Sequence, residues 1–124
     1  MIVHLDTSAL VDALTGSRRS LDRLTALVAD GHRIAVSTIV LYEWLRGPRT
    51  DADLTAQQEL LPREDAAPFG IAEAELAAQL YGAVRRPRGR EVDLAVAACA
   101  IAGRASLWTL NRVDFADIPN LKLI

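Results

Sequence analysis

At 124 residues, with 51% hydrophobic and 24% charged side chains, the chain has room for one ordinary folded domain and not for two. No apolar run approaches the ~18 residues of a membrane span, and no basic segment precedes an N-terminal apolar stretch in the manner of a secretory signal, so the expected compartment is the cytoplasm. One cysteine, Cys99, excludes an internal disulfide, and with only His4 and His32 beside it a Cys/His zinc site is not expected; the net charge of −2 neither favours nor excludes nucleic acid.

The first element expected is a strand, the apolar run Ile2-Val3-His4-Leu5, closed by Asp6. Thr7-Ser8 supplies hydroxyls at a helix start, and Ala9, Leu10, Ala13 and Leu14 follow at helical spacing up to Gly16. Ser17 or Ser20 can cap a second helix with Leu21, Leu24, Leu27 and Val28 on one face, ending at Asp30-Gly31. Ile34-Ala35-Val36-Ser37 is the second strand candidate. A third helix begins at Thr38, carries Glu43 and stops at Gly47-Pro48.

Beyond it, Asp51–Leu61 looks helical, and Pro62–Pro68 is a connector with room for a short strand. Ile71–Val84 has helical periodicity in Ile71, Ala74, Leu76, Ala77, Leu80 and Tyr81. Arg85–Arg90, with Pro87 and Gly89, reads as a loop, and Glu91–Ala102 as an apolar helix closed by Gly103. Cys99 in that Ala-rich helix reads as a small buried residue. Ser106–Leu110 is a third strand and Leu121–Ile124 a short terminal one. Strands alternating with helices predict a single α/β domain: a mainly parallel central sheet of about four to five short strands flanked by helices.

Four acids stand at the joints of this pattern: Asp6, Glu43, Asp93 and Asp114. Three of them have apolar residues on both sides, where a carboxylate is unfavourable unless something specific pairs with it. Function in open α/β sheets collects beyond the carboxyl ends of the strands, and that edge would gather all four. Carboxylates brought together repel, and a hard divalent cation relieves the repulsion. Each acid alone has a plainer explanation. Asp6 could cap a helix, Asp93 could complement a helix dipole, Glu43 could pair with Arg46, and Asp114 could be a turn residue. Around them the basic side chains are almost all arginine, in two groups: Arg85, Arg86, Arg88 and Arg90, and Arg18, Arg19 and Arg23. Arginine forks suit phosphate oxygens, although charge alone is explained as readily by solvated helix ends. Trp44, Trp108, Tyr42 and Phe115 read as packing residues rather than base-stacking platforms.

Taken in order and spacing, four segments resemble the PIN-domain ribonucleases of the VapC toxin type. They are Leu5-Asp6-Thr7-Ser8-Ala9-Leu10, Tyr42-Glu43-Trp44-Leu45-Arg46-Gly47, Asp93-Leu94-Ala95-Val96-Ala97-Ala98, and Thr109-Leu110-Asn111-Arg112-Val113-Asp114-Phe115 followed by Ile118-Pro119. The resemblance covers essentially the whole chain, as one PIN domain over residues 1–124; Asp51–Phe69 matches no motif. It implies that Asp6, Glu43, Asp93 and Asp114 are an acidic quartet binding Mg²⁺ or Mn²⁺ and cleaving phosphodiester bonds in RNA. It also implies Ser8, Thr109 and Asn111 as supporting residues, and Asp114 rather than Asp117 as the fourth acid. The partners it implies are an RNA substrate, a cognate VapB-type antitoxin of a type II toxin-antitoxin pair, and a second copy of the chain. Its antitoxin would lie near the helices of Leu10–Leu14 and Leu41–Leu45, and Ile71–Val84 or Glu91–Ala102 would supply the dimer contact. Two other readings stay open on the residues. A phosphatase with a strand-end Asp nucleophile finds Ser8 where its second acid belongs, and only Lys122 as a lysine. A catalytically silent module could use the acidic pocket to receive a partner's basic side chains.

Overall fold

The computed structural model describes residues 1–124. Strand β1, Ile2–Leu5, is central, with β2, Arg33–Ala35, on one side and β3, Ser106–Trp108, on the other, all parallel. Val3 stands opposite Ile34 on one flank, and His4 opposite Leu107 on the other. A central parallel strand is covered on both faces, which is why the run is nearly all apolar: Val3 and Leu5 are fully buried and His4 almost so. Burial also holds the His4 imidazole below its usual pKa, so it is neutral.

Two single bridges widen the sheet at its edges. Leu123 pairs with Leu107, and Ala67 pairs with Ser37. The expected terminal strand Leu121–Ile124 is thus a bridge rather than a strand, held by Leu107 N–H to the Lys122 carbonyl at 2.7 Å. The connector strand expected between Pro62 and Pro68 is likewise one paired residue. β1 has the expected bounds, while β2 and β3 are shorter than expected or displaced. β2 begins at Arg33 and ends at Ala35 because Ser37 turns away to cap the next helix, its hydroxyl accepting from Val40 N–H at 3.2 Å. β3 ends at Trp108, and the Thr109 hydroxyl beyond it donates to Asp6 at 2.8 Å.

Of seven helices, the first six follow the sequence pattern closely, and the seventh, a single turn, is not expected from it. They are α1 (Thr7–Leu14), α2 (Leu21–Ala29), α3 (Thr38–Arg46), α4 (Asp51–Leu60), α5 (Ile71–Ala83), α6 (Glu91–Ala102) and the single turn α7 (Arg112–Phe115). A 3₁₀ turn at Arg63–Asp65 lies between α4 and α5. Helix α1 buries Ala9, Leu10, Ala13 and Leu14, the four residues at helical spacing. Thr50 starts α4 through a capping box with Asp53, at 3.0 and 3.1 Å. Ser20 stands at the cap position of α2 but does not cap it; its hydroxyl donates to Asp12 at 2.6 Å instead. That bond, with Arg19, holds the Asp12 carboxyl below its ordinary pKa.

Helix α6 is the hub. Every residue from Leu94 to Ala100 is buried, so it is apolar all round and packs against α3, α5, β3 and α7. Cys99 lies in this run, and burial pushes its thiol up to about 11, the behaviour of an inert core residue. Trp44, Trp108 and Phe115 fill the core as expected, but Tyr42 is 60% exposed. Helix α5 departs from its expected face: Leu80 is its one buried residue, Leu76 and Ala77 are partly buried against the core, and Ile71 and Tyr81 are exposed.

Candidate active site at the carboxyl edge of the sheet

The β1–β3 ladder runs one residue past the strands, with the Asp6 N–H donating to the Trp108 carbonyl at 2.9 Å. This extension puts Asp6 beside Thr109 at the carboxyl edge. Asp6 stands at the N-cap position of α1, yet its carboxylate makes no capping bond. Instead Oδ2 accepts from the hydroxyls of Thr109 (2.8 Å) and Ser8 (2.9 Å), and the side chain is only 5% exposed in total. A capping role is therefore excluded. The carboxylate is held by two oriented hydroxyls with one oxygen, Oδ1, left outside that network.

The hydroxyls are themselves pinned. Ser8 Oγ accepts from Leu110 N–H at 3.0 Å, and Thr109 Oγ accepts from Asn111 N–H at 3.0 Å. Each accepts one backbone N–H and gives its proton to Asp6. The turn that leaves β3 thus locks onto α1 through side chains from the two ends of the sequence. Asn111 contributes through its backbone: its carbonyl accepts from Asp114 N–H at 2.9 Å and starts α7, while its side chain is exposed and makes no hydrogen bond.

Glu43 lies on α3, half-buried between two contacts. The Thr7 hydroxyl donates to Oε1 at 2.6 Å, and Arg46 lies 3.6 Å from Oε2. The ion pair with Arg46 is long and its arginine largely exposed, so it contributes little. Thr7 is the tighter tether, and reasoning from sequence assigned it only to a helix start. A Thr one residue past a strand-end Asp is a signal that could have found it.

Asp93 lies in the first turn of α6, half-buried. Its carboxyl is pushed up from 3.8 to about 6. Burial is the largest cause, followed by the charges of Asp6, Asp114 and Glu43, with Arg90 acting in the opposite sense. The charges of three acids from distant points of the chain thus reach Asp93. One of them, Asp114, comes from α7 and is exposed to solvent. Asp117 is not among them: both its oxygens are taken by Arg90, at 2.6 and 3.0 Å, and that contact holds its carboxyl below the ordinary range.

No three His, Cys, Asp or Glu side chains are drawn close enough to form a ready cage for a metal ion. The donor set still fits a hard cation. It is all oxygen, it is mutually repulsive, and Mg²⁺ needs only one or two direct carboxylates while keeping several waters. Beside the acids an open cleft of about 460 Å³ runs along α1, lined in part by Thr7, Ser8, Asp12, Ser17, Arg19 and Leu110.

A strand-end acid at the carboxyl edge of a short parallel sheet, with further acids supplied by three helices, defines an α/β protein with an acidic edge. The model of the PIN domain matches residues 3–121, and the chain belongs to that family. Among solved structures, VapBC2 from Rickettsia felis, bound to a DNA fragment from its promoter, is 26% identical with a TM-score of 0.76, covering 100% of this chain and 98% of the matched one. DNA-bound VapBC from Salmonella typhimurium (18% identical, TM-score 0.76) covers 100% and 97% of the two chains. VapBC-1 from nontypeable Haemophilus influenzae (20%, 0.74) does likewise, with 100% and 97%. The last two speak to the fold alone. The chain is therefore similar to the PIN subunits of VapBC pairs along its full length, as its motifs indicated. No curated protein matches it.

Proposed function

We propose that this chain is a metal-dependent endoribonuclease, the toxin of a type II toxin-antitoxin pair. The observation that supports the reading is the placing of Asp6 at the carboxyl edge, held by Ser8 and Thr109, with the charges of Asp6, Asp114 and Glu43 adding to burial in raising the Asp93 carboxyl. Asp6 and Asp93 would hold Mg²⁺ or Mn²⁺ directly, and Asp114 directly or through water. When bound, the ion supplies Lewis acidity at the phosphodiester and lowers the pKa of water beside it.

The chain's own residues do the rest. Ser8 and Thr109 fix the Asp6 carboxylate so that it would lose little freedom on meeting the ion. Thr7 holds Glu43 by one oxygen and leaves the other turned toward Arg46, where it can take a proton from attacking water. Asn111 supports the site through its backbone rather than its amide. The competing phosphatase reading loses its ground, because Ser8 is engaged in holding Asp6 and cannot serve as its acid.

Toxicity implies a blocking partner, here a cognate VapB-type antitoxin. Its seat is not the buried Leu10–Leu14 face of α1. The open face of α3, with Leu41, exposed Tyr42 and Leu45, and Arg46, is the apolar surface that remains beside Glu43. A homodimer belongs to the same reading. The apolar run of α6 is consumed by the core, which leaves the shallow surface of Ala77, Ala78, Tyr81 and Glu91 for it. No helix is long and apolar enough to cross a membrane, and a cytoplasmic location goes with an RNA substrate. The test is expression alone and with the product of the adjacent small gene. Growth arrest alone, rescue on co-expression and a co-purifying complex are expected. A harmless chain that captures nothing would remove the toxin role.

A further inference from the structure

Arg90 stands at the N-cap of α6, three residues before Asp93, with its side chain 20% exposed. Its guanidinium makes four bonds. Nη2 donates to Asp117 Oδ1 at 2.6 Å and to the Asp114 carbonyl at 2.9 Å; Nη1 donates to Asp117 Oδ2 at 3.0 Å and to the Arg85 carbonyl at 3.2 Å. The fork is parallel and bidentate, the strongest geometry an arginine and a carboxylate can adopt. Asp117 itself is half-exposed and lies outside the quartet.

This cation is close to the acids it avoids. It already touches the backbone of Asp114, and its charge is felt by Asp93 and Asp114. A pocket of repelling carboxylates attracts any cation within reach, and a guanidinium matches a carboxylate better than an ammonium does. Rotation about the outer bonds of Arg90 would turn its fork from Asp117 onto the Asp114 or Asp93 carboxylate. There it would neutralise the pocket and exclude a metal ion. Asp117 offers the competing seat. We propose that Asp117 is a positioning residue that holds Arg90 outside the acidic pocket and so keeps Asp93 and Asp114 open to a cation. The proposal rests on the metal-site reading above.

The probe is Mn²⁺ alone, titrated calorimetrically into the whole chain: wild type, Asp117→Asn, Arg90→Gln and the double variant. Melting curves in EDTA confirm that each is folded. Asp117→Asn frees the cation, and one extra positive charge against the pocket should weaken Mn²⁺ roughly tenfold. Arg90→Gln removes the cation and should bind at least as tightly as wild type. The double variant should recover wild-type affinity to within about twofold, a non-additive rescue that loss of a merely structural contact does not give. Unchanged affinity in Asp117→Asn overturns the proposal. So does a loss that the second substitution fails to restore, and so does weakening in Arg90→Gln, the arm that stands even where Asp117→Asn does not fold. No Mn²⁺ binding by wild type would bring down the metal-site reading itself, a different failure from any of these.

Discussion

Replacing Asp93 by Asn should stabilise the metal-free protein, against the usual expectation for an active-site substitution. The carboxyl is raised from 3.8 to about 6, because burial and three neighbouring carboxylates disfavour its charged form. A shift of about two units is worth at most ~3 kcal/mol, and since Asp93 is only half-buried, solvent screening reduces this to roughly 1 kcal/mol. The sign follows from proton binding. Between the unfolded and folded values the native state binds the extra proton, so wild-type stability falls as pH rises from about 4 to about 6 and then levels. Asn carries no such proton and keeps what wild type loses. In EDTA near pH 7.5 the variant should melt about 4 °C higher, and near pH 4 the two should converge. Thermal unfolding followed by circular dichroism at both pH values measures it. A variant that is less stable at neutral pH, or a difference that does not change with pH, would refute the claim that burial and the three neighbouring carboxylates act on Asp93.

Added Mg²⁺ should reverse that ranking, since an ion bound only by the native state stabilises by mass action and wild type holds it best; equal shifts in wild type and Asp93→Asn would place the ion elsewhere. Thr109→Val keeps the shape but removes the proton given to Asp6 and the acceptor for Asn111 N–H. It should lower RNA cleavage about ten- to hundredfold and raise the Mg²⁺ needed for half-activity, read from initial rates across a metal titration. Leu107→Ala, at a fully buried position of β3, should cost about 3 kcal/mol in denaturant unfolding without moving the metal requirement of the folded fraction.

The fold was legible where burial makes a repeating pattern. Ile2–Leu5, the α1 face and the closed run of α6 carry apolar signals that no other arrangement satisfies. The sheet edges were less legible. Leu121–Ile124 and Ala67 each join by a bridge, and the end of a strand depends on which hydroxyl turns back, as with Ser37 and Thr109. Surface faces misled as well. Ile71 and Tyr81 keep helical spacing, but both lie on the exposed side of α5. At the site, the four acids were visible because carboxylates among apolar residues demand an explanation. Their order matched a known family as well. The supporting contacts were not visible in the same way. Thr7 reaching Glu43 and Arg90 taking Asp117 join residues 36 and 27 positions apart, and only the folded chain brings them together.

The central claim is that the acids at the sheet edge cut RNA with a divalent cation. Its most direct measurement is cleavage of total cellular RNA by the purified chain in Mn²⁺, in EDTA, and with Asp6→Asn in Mn²⁺. Fragments should form in the first sample only, while the variant keeps its fold by circular dichroism. Equal cleavage in all three would contradict it.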